Sequence, residues 1–89
     1  MLALVVDDSR AMRSILTRLM TNLGFDVAQA GDGAQAMEVL DAGARPDVIL
    51  VGWNMPVMDG LTFIKTVRAR EDLRDISLMM VTTESEQNN

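Results

Sequence analysis

The chain has 89 residues, enough for one small domain and close to the lower limit for a self-sufficient core. Hydrophobic residues make up 48% and charged residues 24%, the balance of an ordinary soluble globular protein. The net charge of −5 argues against a nucleic-acid-binding surface, and the absence of cysteine and histidine excludes disulfides, thiolate metal sites and imidazole bases. The apolar run at the N-terminus is too short for a signal peptide or a membrane span, so a cytoplasmic location is predicted.

The first half of the chain alternates between strand and helix patterns. Leu2–Val6 is a short continuous apolar run, typical of a strand buried on both faces. From Ser9 the apolar residues follow the period of a helix, which Gly24 is expected to end in a left-handed cap. The apolar positions of this helix are Met12, Ile15, Leu16, Leu19, Met20 and Leu23. Phe25–Ala30 is predicted as a second strand, and Asp32 as the N-cap of a second helix.

The second half continues the same alternation. Val48–Val51 is predicted as the third strand, Asp59 as the N-cap of a third helix, and Ile76–Val81 as the fourth strand before the polar tail Thr82–Asn89. The order βαβαβαβ predicts an α/β fold, a parallel sheet with right-handed crossovers and helices on both faces.

Polar residues follow three of the predicted strands at their carboxyl ends, where ligands collect in open parallel sheets. Asp7 and Asp8 follow the first strand, residues 52–54 follow the third, and Thr82 and Thr83 follow the fourth. If these strands are neighbours, the groups converge. Two adjacent carboxylates suit Mg²⁺, which keeps several waters and leaves room for phosphate oxygens. A phosphate-and-metal site is therefore predicted at this edge.

Each of these features also has a simpler explanation. An Asp-Asp-Ser run after a strand is often only an N-cap with acids that favour the helix dipole. A pair of threonines at a strand end often reflects only β-propensity. Either explanation is preferred for a single feature, but the convergence of three strand ends favours the site.

Four segments together resemble the receiver domain of response regulators in two-component signalling. They are Leu-Val-Val-Asp-Asp-Ser, Asp-Gly-Ala-Gln-Ala, Trp-Asn-Met-Pro-Val-Met-Asp-Gly and Met-Val-Thr-Thr-Glu, in that order along the chain. The third is most similar to single-domain chemotaxis receivers. The resemblance implies a flavodoxin-like open sheet in the order 2-1-3-4-5. Residues 1–89 would form a single receiver domain that supplies strands one to four and lacks the last helix, strand and helix.

The resemblance also implies roles for individual residues. Asp8 would bind Mg²⁺ directly and Asp7 through water, and the backbone carbonyl of Asn54 would complete the metal site. Thr82 would be the switch hydroxyl that closes on a phosphoryl group.

Further positions match residues that shape or tune the family's pocket. Met55 and Pro56 would shape the pocket, and Trp53 adjoins it. Asn54 and Glu84 would tune dephosphorylation.

Gly52 is the main departure from the family pattern, because the phosphoacceptor aspartate should stand there. Glycine offers neither a nucleophile nor a metal ligand. We therefore expect no phosphotransfer to residue 52, weaker Mg²⁺ binding and a more stable metal-free fold. Asp8 is left open as an alternative phosphoacceptor. A phosphate-contacting lysine of the family is also missing from these residues.

Three functions remain open. The first is a signalling receiver that cannot accept phosphate at Gly52, with a histidine kinase or another signalling protein as partner. The second is a phosphorylation-independent interaction module, a pseudo-receiver, which would self-associate through the exposed edge of the fourth strand. The third, least favoured because the aspartate nucleophile is missing, is a Mg²⁺-dependent phosphatase-like enzyme. A non-enzymatic role is expected, without contacts to nucleic acid or membrane.

Overall fold

Strand and helix alternate along the chain in the computed structural model, which describes residues 1–53 and 55–81. The strands are β1 (Leu2–Val6), β2 (Asp26–Ala30), β3 (Val48–Gly52) and β4 (Ser77–Val81). The helices are α1 (Arg10–Asn22), α2 (Gly33–Asp41) and α3 (Gly60–Arg68), and a short 3₁₀ turn spans Glu71–Leu73. All four strands pair in parallel in the order β2-β1-β3-β4. The predicted α/β parallel sheet is confirmed.

Three strand boundaries differ from the prediction by one residue. β2 begins after Phe25 and β4 begins after Ile76, whereas β3 extends to include Gly52. The extension of β3 matters most, because it makes Gly52 a paired strand residue opposite Val81.

The central strands are buried on both faces because helices lie on both sides of the sheet. Leu4 and Val6 face α2 and α3, whereas Ala3 and Val5 face α1. The larger core lies on the α2–α3 side, and its fully buried side chains include Leu40, Ile49, Val51, Phe63, Val67 and Leu73. Phe63 of α3 is the largest of them.

The α1 side of the sheet is only partly covered. Leu16 and Met20 of α1 are buried against the sheet, but Ile15, Leu19 and Leu23 are 60%, 52% and 66% exposed. An apolar groove of about 620 Å³ runs between α1 and the β3–β4 part of the sheet. The helical period was therefore correct for α1, but half of its apolar positions remain in contact with solvent.

Side-chain caps begin each helix. The carboxylates of Asp32 and Asp59 each accept a 2.8 Å hydrogen bond from the backbone N–H three residues ahead, as predicted. Ser9 Oγ does the same for Met12 N at 3.2 Å. Gly24 follows α1 with φ +95°, the left-handed conformation that glycine adopts without steric cost.

Surface ion pairs join the end of α2 and the loop after it to the 3₁₀ turn and the residue before that turn. The Asp72 carboxylate contacts Arg45 at 2.8 Å and Arg70 at 2.9 Å, and Arg70 also pairs with Asp41. The hydrogen bond from Arg70 holds the pKa of Asp72 below its usual range, and the carboxylates in turn raise the pKa of Arg70. All four side chains are substantially exposed, so water and salt screen these pairs.

The replacement Asp72→Asn should lower the urea midpoint slightly at about pH 7, and this effect should diminish as the pH falls below about 4. The pKa of Asp72 is lower in the folded state, so its contribution is present above the unfolded pKa and is lost as pH falls through the folded pKa. Urea melts of both chains across this range would measure the difference. Asp75→Asn is the matched control, because Asp75 makes no ion pair within residues 1–53 and 55–81. A difference that persists unchanged at low pH would contradict the ion-pair explanation.

Candidate functional site

The carboxyl ends of β1, β3 and β4 lie side by side. Val6 is paired with Val51 and Gly52 with Val81, so Asp7, Gly52 and Val81 lie at the same end of the sheet. The sheet therefore brings Asp7 and Gly52 together. Asn54, Thr82 and Glu84, the remaining predicted site residues, lie outside the described residues.

Asp7 is held by contacts from several directions. Its side chain is buried, and its Oδ1 accepts a 2.9 Å hydrogen bond from Ser9 N. Its backbone N–H donates to Ala30 O at 3.1 Å, and its carbonyl accepts from Arg13 Nη1 at 2.6 Å. Asp7 is thus fixed from β2 and from α1, whereas the neighbouring Asp8 is exposed.

The Asp7 carboxylate lies directly against Gly52. A Cβ atom added to Gly52 would be 2.7 Å from Asp7 Oδ2 and 3.1 Å from Asp7 Cγ. Real Cβ atoms do not come this close to other atoms, so the carboxylate fills the space that a side chain at position 52 would need. Any larger residue at position 52 must move Asp7 away from its present position.

Gly60 supports Gly52 from the other side. A Cβ on Gly60 would collide with the carbonyl oxygen of Gly52, and Met80 Sδ would be 3.3 Å away. The N–H of Gly60 donates to Trp53 O at 3.2 Å. The first residue of α3 therefore packs on the last residue of β3 at a distance that only glycine allows.

The loop between β3 and α3 combines an anchored residue with exposed ones. Met55 is 8% exposed and belongs to the core on the α2–α3 side, whereas Trp53 and Pro56 are exposed. Val57 has φ +69°, and Met58 N donates to Pro56 O at 2.6 Å, which defines a γ-turn. Met55 thus fixes the loop, and Trp53 directly follows Gly52 in the chain. Trp53 therefore lies beside the acidic edge, the name used below for Asp7 and Asp8 at the carboxyl end of the sheet.

Asp59 ends this loop and starts α3. The hydrogen bond that its carboxylate accepts from the backbone N–H of Thr62 holds the pKa of Asp59 below its usual range. Asp59 is engaged as an N-cap, and no observation links it to the acidic pair.

The acidic edge matches Mg²⁺ in chemical type but supplies few ligands. Asp7 has one carboxylate oxygen fixed by Ser9 N, and its Oδ2 accepts no hydrogen bond from a described residue. Together with exposed Asp8 it offers hard oxygen donors of the kind that Mg²⁺ prefers. No group of three or more acidic, histidine or cysteine side chains could hold a metal within the described part of the chain. The donor set therefore fits a cation that keeps most of its waters.

The comparison with known families agrees with the parallel sheet and with the acidic pair that follows β1. The chain belongs to the response regulator receiver domain family, whose model matches residues 3–89. It is 46% identical over 82 residues to chemotaxis protein CheY1 of Helicobacter pylori strain J99, covering 91% of this chain and 66% of that protein. The chain thus spans just under two thirds of the length of this relative.

Solved structures with the same fold extend this result. Chemotaxis protein CheY4 of Vibrio cholerae superposes with a TM-score of 0.85 at 36% identity, over 96% of this chain and 70% of that one. The receiver domain of sensor histidine kinase PA1611 of Pseudomonas aeruginosa, with magnesium in its active-site cleft, superposes with a TM-score of 0.85 at 27% identity, over 94% and 68%. The flavodoxin-like fold is confirmed. No helix within residues 1–53 and 55–81 is long and apolar enough to cross a membrane.

Proposed function

We propose that residues 1–89 form a receiver domain of two-component signalling that cannot take a phosphoryl group at position 52. The observation that carries this proposal is Gly52 at the end of β3, with the Asp7 carboxylate packed where a side chain would otherwise lie. Glycine has no side-chain oxygen that could attack phosphorus. The domain would act in the cytoplasm through a histidine kinase or another signalling protein, and not as an enzyme.

We further propose that the acidic edge binds Mg²⁺ with reduced affinity. Asp8 would bind the ion directly, Asp7 through water, and the backbone carbonyl of Asn54 would complete the donor set. In a receiver the ion neutralises charge on phosphoryl oxygens. Asp7 and Asp8 would orient the hydrated ion, and the Thr82 hydroxyl would donate a hydrogen bond to an oxyanion, with Glu84 beside it.

Incubation with Mg²⁺ and a small phosphodonor tests this function directly. We expect the intact mass to stay unchanged, because position 52 has no acceptor, while Trp53 fluorescence responds to millimolar Mg²⁺. Trp53 is suited to this measurement because it is the only tryptophan and is 51% exposed beside the edge. The variant Asp8→Asn should lose the response, and Asp75→Asn should keep it. A gain of one phosphoryl group would show that a residue other than Gly52 accepts phosphate, and peptide mapping would then test Asp8 as the acceptor. A Trp53 signal that does not respond to Mg²⁺ would contradict the proposed metal site.

A second candidate function is a phosphorylation-independent interaction module, and β4 favours it. In the sheet formed by the described residues β4 has one pairing neighbour, β3, and its five residues Ser77–Val81 carry no charge and no proline. Met79 on this strand is 56% exposed. The opposite edge strand, β2, starts with the charged Asp26. Uncharged edge strands pair readily with other chains, whereas charged ones resist pairing.

The chain should therefore self-associate in a concentration-dependent manner through β4. Met79→Lys should shift the association to higher concentration by roughly tenfold or more, because a charge opposes strand pairing at the edge. Sedimentation equilibrium at constant ionic strength would measure this. Gln29→Lys on the exposed side of β2 is the matched control and should leave the association unchanged. A stable monomer at high concentration, or equal effects of the two variants, would contradict the role of β4.

A further inference from the structure

A small polar recess lies beside the acidic edge, on the β2 side of β1. It has a volume of about 260 Å³ and is lined by Arg13, Gln29, Ala30, Gly31 and Gln35. Arg13 reaches it from α1, and Gln35 reaches it from the first turn of α2. The recess is separate from the surface over Gly52, which lies on the β3 side of β1.

Arg13 brings positive charge into this recess. Its guanidinium is half-buried, and its one hydrogen bond within the described part of the chain goes from Nη1 to the uncharged carbonyl of Asp7. No carboxylate of residues 1–53 or 55–81 forms a salt bridge with it. This contrasts with Arg45 and Arg70, which both pair with Asp72. Arg13 is therefore a guanidinium with N–H groups left to donate.

Gln35 adds a second donor whose orientation is fixed. Its Oε1 accepts a 2.8 Å hydrogen bond from Gly31 N, so Nε2 is the end of the amide that remains available to donate. Its backbone N–H donates to Asp32 Oδ1, which engages that nearby carboxylate in the helix cap. Gln35 thus has the N–H groups of Nε2 left to donate, while its Oε1 is engaged by Gly31 N.

Gly31 keeps the two donors close together and the recess open. A Cβ at Gly31 would lie 3.2 Å from Gln35 Oε1, 3.5 Å from Gln35 Nε2 and 3.6 Å from Arg13 Nη1. The Arg13 guanidinium and the Gln35 amide therefore border the same face of Gly31, where glycine leaves room that a side chain would fill. A guanidinium and an amide N–H that line one recess match the oxygens of a tetrahedral oxyanion.

We propose that this recess binds a phosphate-type oxyanion, held by Arg13 and the Gln35 amide, without a metal and without covalent transfer. The assignment does not depend on the Mg²⁺ site or on an acceptor at position 52. A bound phosphate would place negative charge beside the carbonyl of Asp7 and so next to the acidic edge.

A titration of the ¹⁵N-labelled chain with inorganic phosphate tests the proposal. It is done in EDTA at constant ionic strength, with sodium acetate as a parallel arm. We expect saturable shifts at the Gly31 amide and the Gln35 side-chain amide, with phosphate bound more tightly than acetate. Arg13→Ala should weaken binding roughly tenfold or more, the scale of a lost charge-assisted hydrogen bond. Arg18→Ala should leave it within about twofold, because Arg18 does not line the recess.

Two further variants keep the test informative if Arg13→Ala loosens Asp7. Gln35→Glu retains an acceptor for Gly31 N but replaces the amide donor with a negative charge, and it should abolish binding. Gly31→Ala adds a methyl group to the wall of the recess next to both donors and should also weaken binding. The proposal would be overturned if the shifts do not saturate or appear only when Mg²⁺ is added. It would also be overturned if acetate gives equal shifts or if the shifts survive Gln35→Glu.

Discussion

Replacing Gly52 with aspartate should lower the stability of the metal-free fold and strengthen Mg²⁺ binding. The new side chain must displace Asp7 Oδ2, which lies 2.7 Å from the position of the added Cβ. It also places a third carboxylate beside Asp7 and Asp8, and a like-charge contact of about 4 Å costs up to ~4 kcal/mol before ions screen it. The same carboxylate would be a third acidic ligand for Mg²⁺, in addition to Asp7 and Asp8. Urea melts with and without Mg²⁺ would measure both effects.

Two neutral variants separate the steric contribution from the charge. Gly52→Asn has the size of aspartate without its charge, and Gly52→Ala introduces the Cβ alone. We expect all three variants to lose stability through the displaced Asp7, with Gly52→Asp the least stable in EDTA. In Mg²⁺, Gly52→Asp should recover, with an affinity increased roughly tenfold or more, because even outer partners of a metal change affinity by that factor. Equal metal-free stability of Gly52→Asp and the unaltered chain would refute this account.

The backbone architecture could be predicted from the sequence because it depends on repeating patterns. The continuous apolar run at Leu2–Val6 and the caps at Asp32 and Asp59 are local signals, and the parallel sheet follows from strand–helix alternation. The convergence of Asp7 and Gly52 follows in turn from the pairing of β1 with β3. The candidate site was therefore predictable to the level of strand ends.

Contacts between particular atoms could not be predicted in this way. Ile15, Leu19 and Leu23 have the apolar period of buried positions, but their exposure depends on which element covers the β3–β4 side of the sheet. The placement of the Asp7 carboxylate over Gly52 depends on side-chain rotation, which no spacing encodes. The recess at Gly31 joins three elements and likewise has no local signal. These features require the packed structure.

Gly60→Ala should destabilise the fold more than Gly31→Ala, Gly33→Ala or Gly52→Ala. Its Cβ would collide with the carbonyl oxygen of Gly52, and both residues are buried. Backbone atoms in a paired strand cannot rotate away as a side chain can, so β3 or the start of α3 must shift. Overpacking of this kind costs about 1–3 kcal/mol and sometimes more. We expect a loss at the upper end of that range, measured by urea denaturation.

Gly33→Ala is the matched control, because Gly33 is also the buried first residue of a helix. There the added Cβ would meet Met58 side-chain atoms at 2.9 Å, and Met58 is a flexible side chain in a loop. Alanine is also the better helix former by about 1 kcal/mol, which offsets part of the cost. Gly33→Ala should therefore lose much less stability than Gly60→Ala. Similar urea midpoints for the two variants would show that β3 and α3 do not approach each other through Gly52 and Gly60. In that case the packing of α3 on Gly52 could not help to explain why Gly52 lies against Asp7.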